Sequence, residues 1–392
     1  MKLKIEDFKL PEELERYTMA IQEFMQTELE LIAEEIEDTS RVPDRLLPLL
    51  REAGLLRLRL PQKYGGIGLN FSQYWPVLEE VAKSHGTIRM IVHGYNGIWG
   101  MIGYHGTEEQ KRKYFPIWIE GRGFPAFALT EPGTGTGVDI KTTARKEGNI
   151  YRLNGKKHLI TFADIAEIFH VVAYTGDRSL GPKGISMFIV ERGSPGFTIE
   201  PHKEMLGNKG CYHGILHFND CEVPAKNLIG QEGEGLDIAL RTFLDISRLS
   251  IAVSCLGSAQ RLLELSSEYA KGRVTFGKPI SERQIVQQML ADMATDVYAL
   301  RCMIVDCASK YDEGQQIPVQ SSMCKLFGLQ AAKRVSDMAL EIHGGIGVTK
   351  ALPVERLYRD IRCLTFEEGT PTVLRVLIGR EVLGKSPRSI EK

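Results

Sequence analysis

The residues able to do chemistry in this 392-residue chain fall in a few short runs. The stretch 133-GTGTGVD-139 is rich in glycine and threonine. Its backbone N–H groups and the Thr134 and Thr136 hydroxyls suit a diphosphate; its plainer reading is a glycine turn. It is no Walker A loop, because no G-K-[ST] ends it, and no helical pattern follows it as a dinucleotide fingerprint requires. Arg273 carries a two-pronged donor that also suits a diphosphate, although an arginine alone is more often a surface residue. Gly344, Gly345 and Gly347 permit close backbone approach; alone they read as a helix C-cap and turn. Asp245 and Arg248 have the spacing of a solvated i,i+3 ion pair. His93, taken alone, is a satisfied core histidine. No CxxC pair or His/Cys cluster has zinc spacing, so no metal site is expected.

These runs sit on elements that change character twice. Residues 11 to about 122 read as helical. Leu14, Tyr17, Ile21, Phe24, Met25, Leu31, Ile32 and Ile36 recur at three-to-four spacing, on one helix face. Thr107 and Gln110 form a capping box ahead of KRKYFPIWIEG. From about 124 to 230 the chain breaks into short β-runs, such as FPAFALT, HLITF, FHVVAYTG and ISMFIVERG, bounded by turn residues. Gly148-Asn149 and Asn154-Gly155 are turn pairs of the hairpin kind. No ten-residue helical pattern separates these runs, so an antiparallel barrel or sandwich is expected and a Rossmann fold is not. After 231-QEGEG-235 helices are expected over about 236–270, 281–313, 317–343 and 371–384. The expectation is therefore an α+β chain of three domains: all-α 1–123, central β 124–233, and a C-terminal four-helix bundle 234–392. The end, 384-GKSPRSIEK-392, reads as a frayed tail.

Composition excludes other classes. Lys and Arg total 49 against 50 Asp and Glu, for a net charge of −1. That balance gives no reason to bind nucleic acid or an anionic membrane. No run of about 18 apolar residues exists, so no membrane span is expected. The opening MKLKIEDFKLPEEL is too acidic for a signal or transit peptide. Seven widely spread cysteines fit reduced thiols in a cytoplasmic enzyme.

Four longer motifs carry a resemblance. The segment 127-FALTEPGTGTGVD-139 resembles the signature of the acyl-CoA dehydrogenase family, a flavoprotein family with a T-E-P-G-x-G-S-D run here. The segments 272-GRVTFGKPISERQ-284, 341-EIHGGIGVTK-350 and 366-FEEGTPTVLR-375 are similar to its R-x-x-F-G-x-x-[IL]-x-x-x-Q, Q-x-x-G-G-x-G and Y-E-G-T-x-x-x-x-R runs. All four occur in the family's order and spacing across nearly the whole chain.

The resemblance implies bound FAD, with the site shared between subunits of a homotetramer. It places Phe127, Leu129 and Thr130 against the flavin, Thr136 at its diphosphate, and Thr161 at flavin N5. Leu159 stands where the family has a screening aromatic, and Gly137 where it has Asp. Arg273, Phe276 and Gln284 match flavin-holding positions, as do Thr370 and Thr372 within the last motif. Gly344 and Gly345 match an approach to a neighbouring subunit's adenosine, beside Glu341 in place of Gln. Asp245 and Arg248 match a helix that contacts CoA. Lys209 and Cys211 mark a CoA-side loop that has diverged.

The resemblance also implies the reaction. An acyl-CoA loses its α-proton to a carboxylate held in a dry pocket, donors stabilise the enolate, and Cβ gives hydride to flavin N5. Glu368 resembles the base, and Gly369 allows the tight loop that follows it. The family's alternative base position is here Ser247. Glu367 replaces a Tyr of the acyl pocket. It would raise the pKa of its neighbour by like-charge repulsion, recognise a cationic or hydroxylated acyl group, or turn outward. His93 falls near the pocket-lining helix, with Arg89 one turn earlier, where an arginine would suit a dicarboxylyl-CoA such as glutaryl-CoA. The expected function is dehydrogenation of a short or medium, branched, cyclic or polar acyl-CoA, with electrons passing to an electron-transfer flavoprotein. The alternatives are an enoyl-CoA reductase working in reverse and a non-catalytic CoA-ester binding protein.

Overall fold

A computed structural model describes residues 3–135 and 139–385. Thr136 and most of the 384–392 tail lie outside the described residues.

The chain opens with helices α1 (Leu14–Phe24), α2 (Glu30–Thr39), α3 (Leu46–Glu52), α4 (Phe71–Val81), α5 (Gly86–His105) and α6 (Glu108–Ile119). Tyr17, Ile21, Phe24, Met25, Ile32 and Ile36 are buried as the spacing predicts, but Leu31 is 61% exposed and Leu29 is buried instead. The cause is a π-helical turn over Met25–Leu29 between α1 and α2. Its wider turn rotates the downstream face. The Thr107–Gln110 capping box starts α6. A second box, Asn70 with Gln73, starts α4. The next free N–H groups of α4, on Phe71 and Ser72, donate to the Asp312 carboxylate from the far end of the chain, both at 2.8 Å. That carboxylate supplies acceptors and negative charge where the helix N-terminus wants both.

The middle segment holds β1 (Phe124–Ala128), β2 (Thr143–Glu147), β3 (Ile150–Thr161), β4 (Ala166–Tyr174), β5 (Ile185–Glu191), β6 (Phe197–Pro201), β7 (His213–Pro224) and β8 (Leu228–Ile229). They form one eight-stranded sheet, in the order β6-β7-β3-β2-β4-β5-β8, with β1 beside β4. The expected central β segment is present, but its description as an antiparallel barrel or sandwich is too strict. The path runs open from β6 to β8, and β4 pairs in parallel with both β1 and β2. A parallel pair needs a helical crossover only when its strands are consecutive; here the β2–β3 hairpin intervenes. Gly148-Asn149 makes that hairpin turn. Asn154-Gly155 does not turn the chain: it lies inside β3, where the ladder to β7 shifts register. Added at Gly155, a Cβ would come within 2.5 Å of the Thr142 hydroxyl, so this glycine serves close strand approach.

The last third returns to helix: α7 (Gly235–Asp237), a π-helical stretch over Ile238–Leu244, α8 (Asp245–Gly272), the hairpin β9 (Val274–Thr275) and β10 (Lys278–Pro279), then α9 (Gln284–Asp312), α10 (Pro318–His343), α11 (Val354–Leu364) and α12 (Pro371–Val382). Helix α11 was absent from the expected set. Its buried Val354, Leu357, Ile361 and Leu364 do carry the helical period. Helix α8 packs against α4, α9, α10 and α11. At Gly257 an added Cβ would meet the Glu79 carbonyl of α4 at 2.3 Å, so only glycine permits that contact. No helix among the described residues is long and apolar enough to cross a membrane.

Candidate active site

The site is organised by the short loop between α11 and α12. There Glu368 has φ 52° and Gly369 φ 98°. A left-handed conformation at a residue with a Cβ costs about 1–2 kcal/mol, so the loop needs holding. Two buried cations hold it. The Lys325 ammonium of α10 donates to the carbonyl oxygens of Glu367 and Gly369. The Arg248 guanidinium of α8 donates to the Glu368 carbonyl at 3.3 Å. Three successive carbonyls are thus pinned from below. Asp245 pairs with Arg248 at 3.3 Å, and both side chains are about 5% exposed or less. The pair is therefore buried beneath the loop and is not the solvated surface pair that its spacing alone predicts.

Burial pushes the Glu368 carboxyl up to about 7, against the downward pull of Lys325 and the Ser247 hydroxyl; Glu367 adds a further upward push. Burial likewise lowers Lys325 to about 8, opposed by the two glutamates. Near neutral pH the site therefore holds a cation under a carboxyl poised to gain or lose a proton.

Glu367 does not turn outward. Both its oxygens accept from the Arg89 fork of α5, at 2.9 and 2.9 Å. The Asn208 amide adds a 3.4 Å contact. Burial alone would raise the Glu367 carboxyl, but the charge and hydrogen bonds of Arg89 hold it below its ordinary value. Arg89 is therefore committed internally and is not the free pocket arginine that a dicarboxylyl-CoA would want. One turn along α5, His93 meets the Ser247 hydroxyl at 2.8 Å. Burial lowers its imidazole to about 3, so it stays neutral.

Across a cavity of about 690 Å³ stands the edge of the sheet. Phe127 lies one residue before the end of β1, and Leu129 and Thr130 follow that strand. Lys157 of β3, fully buried, donates to the Leu129 carbonyl at 3.0 Å and to the Glu131 carboxylate at 2.8 Å. Glu131 also accepts from the backbone of Lys141 and Thr142. This ion pair clamps both ends of the glycine turn to the sheet. Beyond Lys157 the β3–β7 ladder shifts again. Leu159 adopts φ 57° and is 39% exposed, toward the cavity.

The cavity brings together Phe127, Leu129, Thr130, Leu159 and Thr161 on one wall, with His93, Glu367, Glu368, Gly369 and Thr370 on the others. It does not bring in Arg273, Phe276, Gln284, Glu341, Gly344, Gly345 or Thr372, which lie exposed on the C-terminal helices and the β9–β10 hairpin. Phe276, at the tip of that hairpin, is 98% exposed with φ 48°.

Sequence reasoning missed Lys325, Lys157, Asn208 and the positioning role of Arg248. Lys325 left a signal: Ser322, Lys325, Leu329 and Ala332 follow one buried stripe of α10, so a lysine stands at an inward helical position. Lys157 left a weaker one, in alternation with the buried Tyr151 and Leu153 of β3; Asn208 left none of that kind.

Comparison with known proteins covers almost the whole chain. Three domain signatures match: acyl-CoA dehydrogenase N-terminal domain over residues 11–122, middle domain over 126–221 and C-terminal domain over 233–383. An acyl-CoA dehydrogenase of Bacillus subtilis (strain 168) is 37% identical over 366 residues, covering 93% of this chain and 96% of that protein. An acryloyl-CoA reductase (NADH) of Anaerotignum propionicum is 36% identical over 385 residues, covering 97% of each. Among solved structures, a chain described with the electron transferring flavoprotein of Acidaminococcus fermentans superposes with a TM-score of 0.91 at 36% identity, covering 96% of this chain and 99% of that one.

Proposed function

The chain belongs to the acyl-CoA dehydrogenase family of FAD-dependent oxidoreductases, and from that membership we propose that Glu368 is the base that removes the α-proton of an acyl-CoA. The observation that carries the reading is Glu368 itself. It is a carboxyl raised to about 7, on a loop pinned by Lys325 and Arg248, facing the sheet edge across the cavity. A base near neutrality couples a useful ionised fraction to real basicity.

The cavity fits the family's cofactor. Phe127, Leu129 and Leu159 offer apolar faces to a flavin ring, and the Thr130 and Thr161 hydroxyls offer polar contacts at its rim. An added Cβ at Gly133 or Gly135 would meet nothing within 4 Å, so the glycine turn leaves space at the mouth. FAD held there supplies the two-electron acceptor for the substrate's β-hydride. The exposed Arg273, Phe276, Gln284, Glu341, Gly344 and Gly345 are read as holding the rest of the cofactor across a second copy, within a homotetramer. Thr372 is grouped with them, as is Thr136 on the diphosphate side. Asp245 and Arg248 shape the CoA-side wall by fixing the Glu368 loop.

Electrons are assigned to an electron-transfer flavoprotein, a reading supported by the Acidaminococcus fermentans match. The reductase relative supports a second reading, in which the same site runs from enoyl-CoA to acyl-CoA. A cytoplasmic setting is supported by seven unpaired cysteines. The polar side chains of Glu367 and His93 at the acyl end favour short, branched, cyclic or polar-substituted acyl groups over palmitoyl. The test is an anaerobic flavin-bleaching screen across such CoA esters, with the matching enoyl esters offered to reduced enzyme. Bleaching by at least one short or substituted ester, faster than by palmitoyl-CoA, is expected. Fastest bleaching by palmitoyl-CoA contradicts the substrate reading, and none by any ester contradicts the dehydrogenase reading.

A further inference from the structure

The cavity wall contains a charged pair that the proton transfer does not use. Arg89 is 2% exposed and gives both arms of its fork to Glu367. Met90, His93 and Glu367 line the cavity, and Arg89 lies behind Glu367. An arginine that deep cannot stay charged without an anion beside it. In this chain the anion is part of the protein, carried on the same loop as the base.

The consequence falls on the substrate. An acyl chain ending in a carboxylate would meet a second carboxylate, whose guanidinium partner already gives both terminal nitrogens to it. Neither Arg89 arm is free to form the two parallel bonds that recognise such a group. An uncharged chain meets a pair whose charges cancel. A hydroxyl can also donate to Glu367, since two carboxylate oxygens offer about four acceptor positions, and Arg89 and Asn208 take three of them here. We propose that Glu367 is a specificity residue: by occupying the Arg89 fork it admits CoA esters of uncharged acyl groups and turns away those whose chain ends in a carboxylate. The proposal rests on the acyl-CoA reading above and names the substrate class of that same site.

Binding tests it apart from catalysis. Dithionite-reduced, flavin-loaded protein cannot oxidise a saturated ester, so affinities for butyryl-CoA, glutaryl-CoA and glutaryl-CoA's terminal-amide analogue are measured calorimetrically. Wild type is expected to bind glutaryl-CoA at least ~30-fold more weakly than butyryl-CoA, and the amide at least ~10-fold more tightly than glutaryl-CoA, because a like-charge juxtaposition costs several kcal/mol. Glu367→Gln should tighten glutaryl-CoA by at least ~10-fold with little change for butyryl-CoA. Adding Arg89→Gln should remove that gain. Equal wild-type affinity for glutaryl-CoA and its amide overturns the proposal without any variant, as does an unmoved ratio in Glu367→Gln. If the ratios hold while no ester bleaches oxidised enzyme, the specificity assignment stands and the dehydrogenase reading falls. If bleaching is normal and the ratios are flat, the reverse is true.

Discussion

Replacing Lys325 with methionine removes an ammonium and keeps a flexible side chain of similar reach. In the structure that ammonium is buried, donates to the carbonyls of Glu367 and Gly369, and draws the Glu368 carboxyl down while burial drives it up to about 7. Lys325 itself is held down to about 8, so it remains charged across the neutral range where Glu368 titrates. An opposite charge close to a buried carboxyl moves its titration by about 1–3 pH units. Without it, the acid limb of flavin reduction should climb from near pH 7 by roughly one to two pH units. At pH 7 that leaves roughly a fifth to a fiftieth of the wild-type ionised fraction, and a rate lower in proportion. The loop also loses two donors, and each buried acceptor left unpaired costs about 1–3 kcal/mol. Thermal stability should therefore fall by several degrees as well. The assay is anaerobic stopped-flow bleaching of the flavin from pH 5.5 to 9.5. A structural role alone predicts a less stable enzyme with its acid limb in place. If Lys325→Met folds, keeps its flavin and shows the wild-type limb, the electrostatic argument is wrong.

Linkage gives a second outcome at Glu368. Its folded pKa of about 7 exceeds the ordinary 4.5, so the folded chain keeps a proton that the unfolded chain releases. The stability due to that proton is fully present below 4.5 and is lost as pH rises through 7. Glu368→Gln should gain stability relative to wild type from pH 5 to pH 8, by at most ~3 kcal/mol; urea titrations of flavin-loaded protein at each pH would read it, and a pH-independent difference counts against it. In the sheet, Lys157→Met strands the buried Glu131 and should cost roughly 3–5 kcal/mol in chemical denaturation. Adding Glu131→Leu should recover part of that loss, less what the Lys141 and Thr142 N–H groups lose with their acceptor; no recovery would mean that the stranded charge is not the main cost.

Much of the candidate site was legible because its residues are contiguous. The run 366–370 carries the proposed base, and 127–130 and 158–161 carry the opposite wall, each within a few residues. What holds them was not legible. Lys325 meets the loop from 42 positions away, and Arg89 meets Glu367 from 278; no local period reports such pairs. The same division applies to the fold. The change from helix to strand and back follows from hydrophobic period, but Leu31 was misplaced because a π-turn breaks that period without a distinctive sequence. The parallel partners of β4 escaped because pairing between non-consecutive strands is tertiary. Asn154-Gly155 misled because the same dipeptide serves a turn or a bulge, and the Thr142 contact decides between them.

Glu368 is the proposed acceptor of the α-proton. Glu368→Gln keeps the side chain's shape and its place in the loop, and removes the acceptor. With the ester that bleaches wild type fastest, the rate constant for anaerobic flavin reduction should fall by at least ~10³-fold, in the upper part of the range for a general base, while bound FAD and ester affinity are retained. A flavin-loaded Glu368→Gln variant that bleaches within a few-fold of the wild-type rate would contradict the account and move the base to another residue of the cavity.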